Sequence, residues 1–143
     1  GSAEAKLRAA RALGSLAFND DNIVLIAEAG GIAPLVELVR DGSADAKLYA
    51  ARVLGHIALG NAANRILVAN DGAIPQLVVL LRDGSVVAKA EAAWALCNLV
   101  NGNDANQEAY QAYLRPPRDT PLGGQTSEVA HASKRWMACQ RAC

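Results

Sequence analysis

Cys139 and Cys143 lie four residues apart, one helical turn, and with His131 they have the residue types that hold a metal. Three such groups on one stretch are a thin basis for a site, and free thiols are the expected state of both cysteines. His56, the other histidine, has no second ligand at metal spacing and reads as an exposed or capped imidazole. Cys97 stands beside an apolar stripe and reads as a small buried hydrophobe. Covalent chemistry is no better served. There is no Ser/His/Asp ordering, no phosphate-cradling glycine loop followed by Lys, and no pair of carboxylates in an apolar setting. Gly30-Gly31 punctuates helices and Gly123-Gly124 follows no strand. The chain is expected to be no enzyme and to carry no cofactor or metal.

The elements that position these residues are repeated. Asn19 to Leu59 laid over Asn61 to Asn101, an offset of 42, matches at 18 of 41 positions, and Arg40-Asp41-Gly42-Ser43 returns as Arg82-Asp83-Gly84-Ser85. Self-similarity at this period marks a solenoid, whose units bury their apolar faces against one another. Composition agrees with an all-α build. Hydrophobic residues make up 52% of the 143 and aromatics only 4%, so the core is Ala, Leu, Ile and Val. Small aliphatic filling suits closely packed helices.

Each period reads as three helices. Asn22 to Ala29 has apolar Ile23, Ile26 and Ala27 at helical spacing, with Asp20 or Asp21 as its cap and Gly30-Gly31 as its stop. The second helix spans about Ile32 to Arg40, tolerates Pro34 in its first turn, and should be largely buried. Ser43 caps the third and longest helix, which ends near Leu59, with Ala50, Ala51, Leu54, Ile57 and Ala58 facing the core. The second period repeats the plan near 64–70, 74–82 and 86–100. Ala3 to Phe18 reads as a preceding third helix at an offset of 41. Paired alanines at 9–10, 50–51 and 92–93 allow close helix approach.

The runs Ala-Gly-Gly-Ile-Ala-Pro-Leu-Val at 29–36 and Asp-Gly-Ala-Ile-Pro-Gln-Leu-Val at 71–78 carry a family resemblance. So do Ala-Ala-Arg-Ala-Leu-Gly-Ser-Leu-Ala at 9–17 and Ala-Ala-Trp-Ala-Leu-Cys-Asn-Leu-Val at 92–100. Residues 1 to about 110 resemble armadillo repeats of the importin-alpha and beta-catenin type. The resemblance implies a right-handed α-solenoid with a concave groove lined by third helices, where family members hold an extended peptide. In importin-alpha-like repeats a Trp and an Asn four residues later share that face. The Asn can bond a peptide backbone and the Trp can hold aliphatic and cationic side chains. Here the pair occurs once, as Trp94 and Asn98. Its equivalents are Arg52 with His56 and Arg11 with Ser15, and one turn earlier stand Glu91, Tyr49 and Arg8. These nine are the expected peptide-binding residues. Two arginines in the groove suit an acidic or mixed-charge peptide rather than a basic one. The plainer alternative for each is structural: Trp94 as helix packing, Arg11 and Arg52 as solvated residues.

The third period departs from the pattern. Asn103, Ala105 and Asn106 begin a first helix, but Glu108 falls where Val24 and Ile66 sit, and Leu114-Arg115-Pro116-Pro117 replaces the glycine junction. The chain therefore divides into a solenoid, 1–114, and a tail, 115–143, with a loop over 115–126. Val129, Ala132, Trp136, Cys139 and Cys143 share one helical face, which reads either as a helix capping the solenoid or as a disordered tail. Charge divides likewise: nine Lys and Arg against twelve Asp and Glu in 1–114, five against two in 115–143. Neither block has the cationic footprint of a nucleic-acid binder. No apolar run reaches the ~18 residues of a membrane span and no signal peptide is evident, so an intracellular location, cytoplasmic or nuclear, is expected. Opening at a repeat boundary suggests a piece of a longer array. The expected function is protein interaction through the groove. The alternative is a solenoid fragment that self-associates as a homodimer through its open ends.

Overall fold

The computed structural model describes residues 2–59 and 61–114, which form eight α-helices. They are α1 (Ala3–Leu16), α2 (Asp20–Glu28), α3 (Ile32–Asp41), α4 (Ala44–Ala58), α5 (Ala62–Asn70), α6 (Ala73–Asp83), α7 (Val86–Val100) and α8 (Asp104–Leu114). The expected tail helix lies outside the described residues.

Two cap types, repeated three times, decide where most of these helices start. Ser2, Ser43 and Ser85 precede α1, α4 and α7, and each Oγ accepts the N–H of Ala5, Ala46 or Ala88 at 3.2 Å. Asn19, Asn61 and Asn103 do the same for α2, α5 and α8, accepting from Asp21 at 2.8 Å, Asn64 at 3.0 Å and Asn106 at 2.9 Å. Each cap satisfies an N–H that the helix itself leaves without a partner. The cap of α2 is thus Asn19, not Asp20 or Asp21, and the helix begins two residues before the expected Asn22. Those aspartates instead occupy the first turn, where the positive end of the helix dipole favours them. Between first and second helices the chain turns through Gly30 and Gly72 at φ 77° and 86°. That left-handed region suits a residue without a Cβ.

The third helices α1, α4 and α7 pack side by side in one layer, and α3 and α6 form a second layer against α4 and α7. As expected, Ala50, Ala51, Leu54, Ile57 and Ala58 are completely buried between them. Leu35, Val36 and Val39 bury the face of α3, with Leu38 partly covered. The end helix α1 shows what the neighbour contributes. Leu16 is 48% exposed whereas its equivalent Ile57 is 0%.

At Glu108 the first helix of the third period continues. Helix α8 runs through it to Leu114. The equivalent Val24 and Ile66 are 43% and 51% exposed, so a carboxylate at that position forfeits little burial. Tyr110 takes the buried place of Ile26 and Val68.

Carbonyls at the ends of the third helices are satisfied by side chains of the next element. Asn22 Nδ2 donates to Leu16 O at 3.1 Å, and Asn106 Nδ2 to Leu99 O at 2.8 Å. Arg65 Nε donates to Ala58 O at 3.0 Å and Gln107 Nε2 to Val100 O at 3.1 Å. Asn64 is equivalent to Asn22 and Asn106, yet its buried Nδ2 has no partner among the described residues. The two asparagines should therefore respond oppositely to replacement. Asn106→Leu is expected to cost about 1–3 kcal/mol, because Leu99 O is left unpaired. Asn64→Leu removes an unsatisfied amide and should be neutral or stabilising. Urea denaturation of both variants checks the contrast; equal losses would contradict it.

Candidate functional site

The nine expected residues lie on α1, α4 and α7, on faces set by 3.6-residue periodicity: 8, 11 and 15; 49, 52 and 56; 91, 94 and 98. Which of them meet is decided by how the helices pack. Alignment groups Arg11, Arg52 and Trp94 as equivalents, but contacts run diagonally, from one helix to a position about a turn earlier on the next. Arg11 stacks over the Tyr49 ring, 5.6 Å from its centroid. Arg52 reaches Glu91 with Nε at 3.0 Å and Nη2 at 2.7 Å, both on Oε1. His56 meets Trp94 edge to face at 4.8 Å between ring centroids. Arg52 also lies 5.6 Å from the Tyr49 centroid, so that ring carries two cations.

The diagonal brings in a residue that the sequence reading omitted. Phe18, just past the end of α1, meets His56 edge to face at 5.0 Å and is 74% exposed. Phe18, His56 and Trp94 therefore form a continuous file of rings across three helices, in the geometry that aromatic quadrupoles prefer. The signal was present: 8, 11, 15 and 18 continue one face by another turn, and Phe18 is the chain's single phenylalanine. Gly55 was also missed. A Cβ there would overlap the six-membered ring of Trp94, so this ring lies directly on the α4 backbone. A glycine inside a helix, opposite a large ring, is the trace of that approach.

The structure gives several of these residues partners within the chain. Asn98 is 8% exposed, and its Nδ2 donates to Gly55 O at 3.1 Å. That bond holds the end of α4 to α7 and uses one of the two Nδ2 hydrogens. His56 is neither exposed nor capped but half-buried between two rings. Arg52 is partly exposed and ion-paired: the hydrogen bond to Glu91 pushes its pKa up and Glu91 balances its charge. Ser15 Oγ donates to Arg11 O at 3.3 Å, within its own helix. Arg8 is exposed and pairs with Glu4 at 3.0 Å. Cys97 is buried as expected and is disulfide-bonded. The other two cysteines lie outside the described residues. Among the described residues no cluster of three or more His, Cys, Asp or Glu can hold a metal. No single helix among them is long and apolar enough to cross a membrane.

Burial lowers the pKa of His56 below its ordinary 6.5; nearby Glu91 opposes the shift and Arg52 adds to it. The unfolded chain then takes up this proton at a higher pH than the folded one. Stability contributed by neutral His56 is intact above about pH 6.5 and is lost as pH falls through that value toward the folded pKa. His56→Phe should remove this component. Urea midpoints measured at pH 8 and pH 5.5 should differ less in the variant than in the wild type, and an unchanged difference would rule the assignment out.

The model of the Armadillo/beta-catenin-like repeat matches residues 19–59 and 61–100. The chain belongs to the armadillo-repeat family. No curated protein matches the sequence. Among solved structures, this armadillo solenoid is similar to computationally designed armadillo repeat proteins for modular peptide recognition. Identity is 26% and the TM-score 0.77, over 96% of this chain and 59% of that one. It is likewise similar to an engineered protein at 28% identity and TM-score 0.76, over 96% and 57%. A designed armadillo repeat protein in complex with the peptide (KR)4 is 30% identical, TM-score 0.72, over 92% and 56%. The chain thus spans somewhat under three-fifths of the length of these structures. The armadillo family is a non-catalytic repeat scaffold, and the fold is an all-helical solenoid.

Proposed function

We propose that the face formed by α1, α4 and α7 binds an extended segment of a partner protein. The observation that carries this reading is the unbroken file of contacting groups across the three helices: Phe18, His56 and Trp94 in one line, Arg11, Tyr49, Arg52 and Glu91 in another. Such a face offers exposed ring surface and oriented charge to a strand laid across it. Asn98 is engaged with Gly55, so side-chain contacts carry more of the binding than an asparagine reading the ligand backbone. The basic (KR)4 ligand belongs to the designed relative. Here Arg11 has no carboxylate partner among the described residues, which favours an acidic or mixed-charge segment.

A peptide library screened against the wild type, Phe18→Ala and Arg11→Glu tests the reading. Peptides selected by the wild type should bind both variants at least several-fold more weakly. Undiminished binding to both would refute it.

A second reading, self-association, is favoured by a cavity of about 530 Å³ at the α1–α3 end, lined by Ala9, Leu13, Leu35 and Leu38 together with Lys6 and Glu37. Pairing of two such ends would cover apolar surface and set Lys6 against Glu37 of a second copy. Light scattering should then show a concentration-dependent dimer that Leu38→Glu abolishes. A wild-type monomer at all concentrations would eliminate this reading.

A further inference from the structure

Charge on the armadillo solenoid is distributed by helix type. The third helices α1, α4 and α7 together hold six Lys and Arg and three Asp and Glu, whereas the remaining described residues hold three against nine. Within the third-helix layer the charge also falls along the solenoid. There are three cations to one acid in α1, two to one in α4, and one to one in α7. Lys6, Lys47 and Lys89 occupy equivalent positions and so add the same charge at each step. The slope comes from groups on the recognition face. α1 offers Arg8 and Arg11, with Glu4 beside only the first. α4 offers Arg52, held by Glu91. α7 offers Trp94 and the 53%-exposed Val87, which stands where α1 has Glu4 and α4 has Asp45.

We propose that the ligand of this face is charge-graded to match: an extended segment with acidic side chains over α1, Arg11 being the residue that selects them, and apolar side chains over Trp94 and Val87 of α7. The inference rests on the peptide-binding reading above. Two helix spacings of 8–10 Å separate the poles by roughly 16–20 Å, about five or six residues of extended chain. Glu91 sets the slope by neutralising Arg52, which confines the uncompensated guanidinium to α1. Opposite charge at close range shortens and strengthens hydrogen bonds, and like charge at the same site is repelled.

The test uses fluorescein-labelled peptides of eight residues with two aspartates at one end and two leucines at the other, in both chain orders, alongside versions carrying Lys for Asp. Binding is read by anisotropy at low and physiological salt. One order of the aspartate peptide should bind about tenfold tighter than either lysine peptide, with the advantage shrinking as salt rises. Arg11→Glu should erase that advantage, and Glu91→Gln, by releasing Arg52, should strengthen the aspartate peptide several-fold. The inference is overturned if lysine peptides bind equally or better, or if Arg11→Glu leaves the aspartate peptide unaffected. Should lysine peptides bind and Trp94→Ala abolish it, the recognition face stands and only the grading falls. Absence of binding by every peptide in both orders would refute the two together.

Discussion

Leu54→Ala is expected to lower the unfolding free energy by about 3–5 kcal/mol, the cost of deleting a fully enclosed leucine and leaving a cavity. Leu54 is completely buried in α4, the helix that touches α1, α3 and α7. Its same-face neighbours on α4, Ala50, Ala51 and Ala58, are buried too and have no side-chain length with which to fill the gap. Against a typical domain stability of about 5–15 kcal/mol, the variant should be marginal at room temperature. Leu13 is the equivalent residue in α1 but is only partly buried, so Leu13→Ala should cost about 1–2 kcal/mol. Chemical denaturation followed by circular dichroism gives both values. Equal costs would mean that the end helix is enclosed as fully as the central one.

The second large effect is at Gly55. Alanine is the better helix former by about 1 kcal/mol, so propensity alone predicts that Gly55→Ala stabilises. The packing predicts the reverse. The added methyl would overlap the Trp94 ring and stand 3.3 Å from the Ala95 Cα. Overpacking of this kind costs about 1–3 kcal/mol, and displacing Trp94 would also break its contact with His56. Gly14 holds the equivalent place in α1, where a Cβ would meet nothing closer than Val53 at 3.8 Å. Gly14→Ala should therefore stabilise by roughly 0.5–1 kcal/mol. The pair makes the cause separable. With Trp94→Ala in the background, most of the Gly55→Ala penalty should disappear. A penalty that persists undiminished would place its origin elsewhere.

Much of the fold was legible because it depends on local chemistry repeated at a fixed interval. Ser43 and Ser85 cap as read, and the stripe from Ala50 to Ala58 is buried as read. Errors at this level were of reach. The cap of α2 is Asn19 because an asparagine in extended conformation bonds the N–H groups of Asp21 and Asn22, which leaves the two aspartates inside the helix. Glu108 differs in type from Val24 and Ile66, but all three positions are exposed, so the helix tolerates the change. The candidate site was legible as a set of residues on one face, and much less so as a set of contacts. Nothing in the spacing pairs Arg52 with Glu91, or Asn98 with the Gly55 carbonyl.

By itself the sequence determined the architecture: an all-helical armadillo solenoid, with its helices, caps and buried stripes in nearly the right places. These follow from interactions within a few residues of chain, so periodicity and cap chemistry carry them. Tertiary structure alone decided which side chains on neighbouring third helices meet. Equivalent positions do not lie opposite one another; a residue meets one about a turn earlier on the next helix, as Phe18 with His56, His56 with Trp94, and Arg52 with Glu91. That displacement arises from the packing of whole helices against each other, a property of no short segment. It neutralises Arg52 while leaving Arg11 without a carboxylate partner among the described residues, and so sets the character of the face.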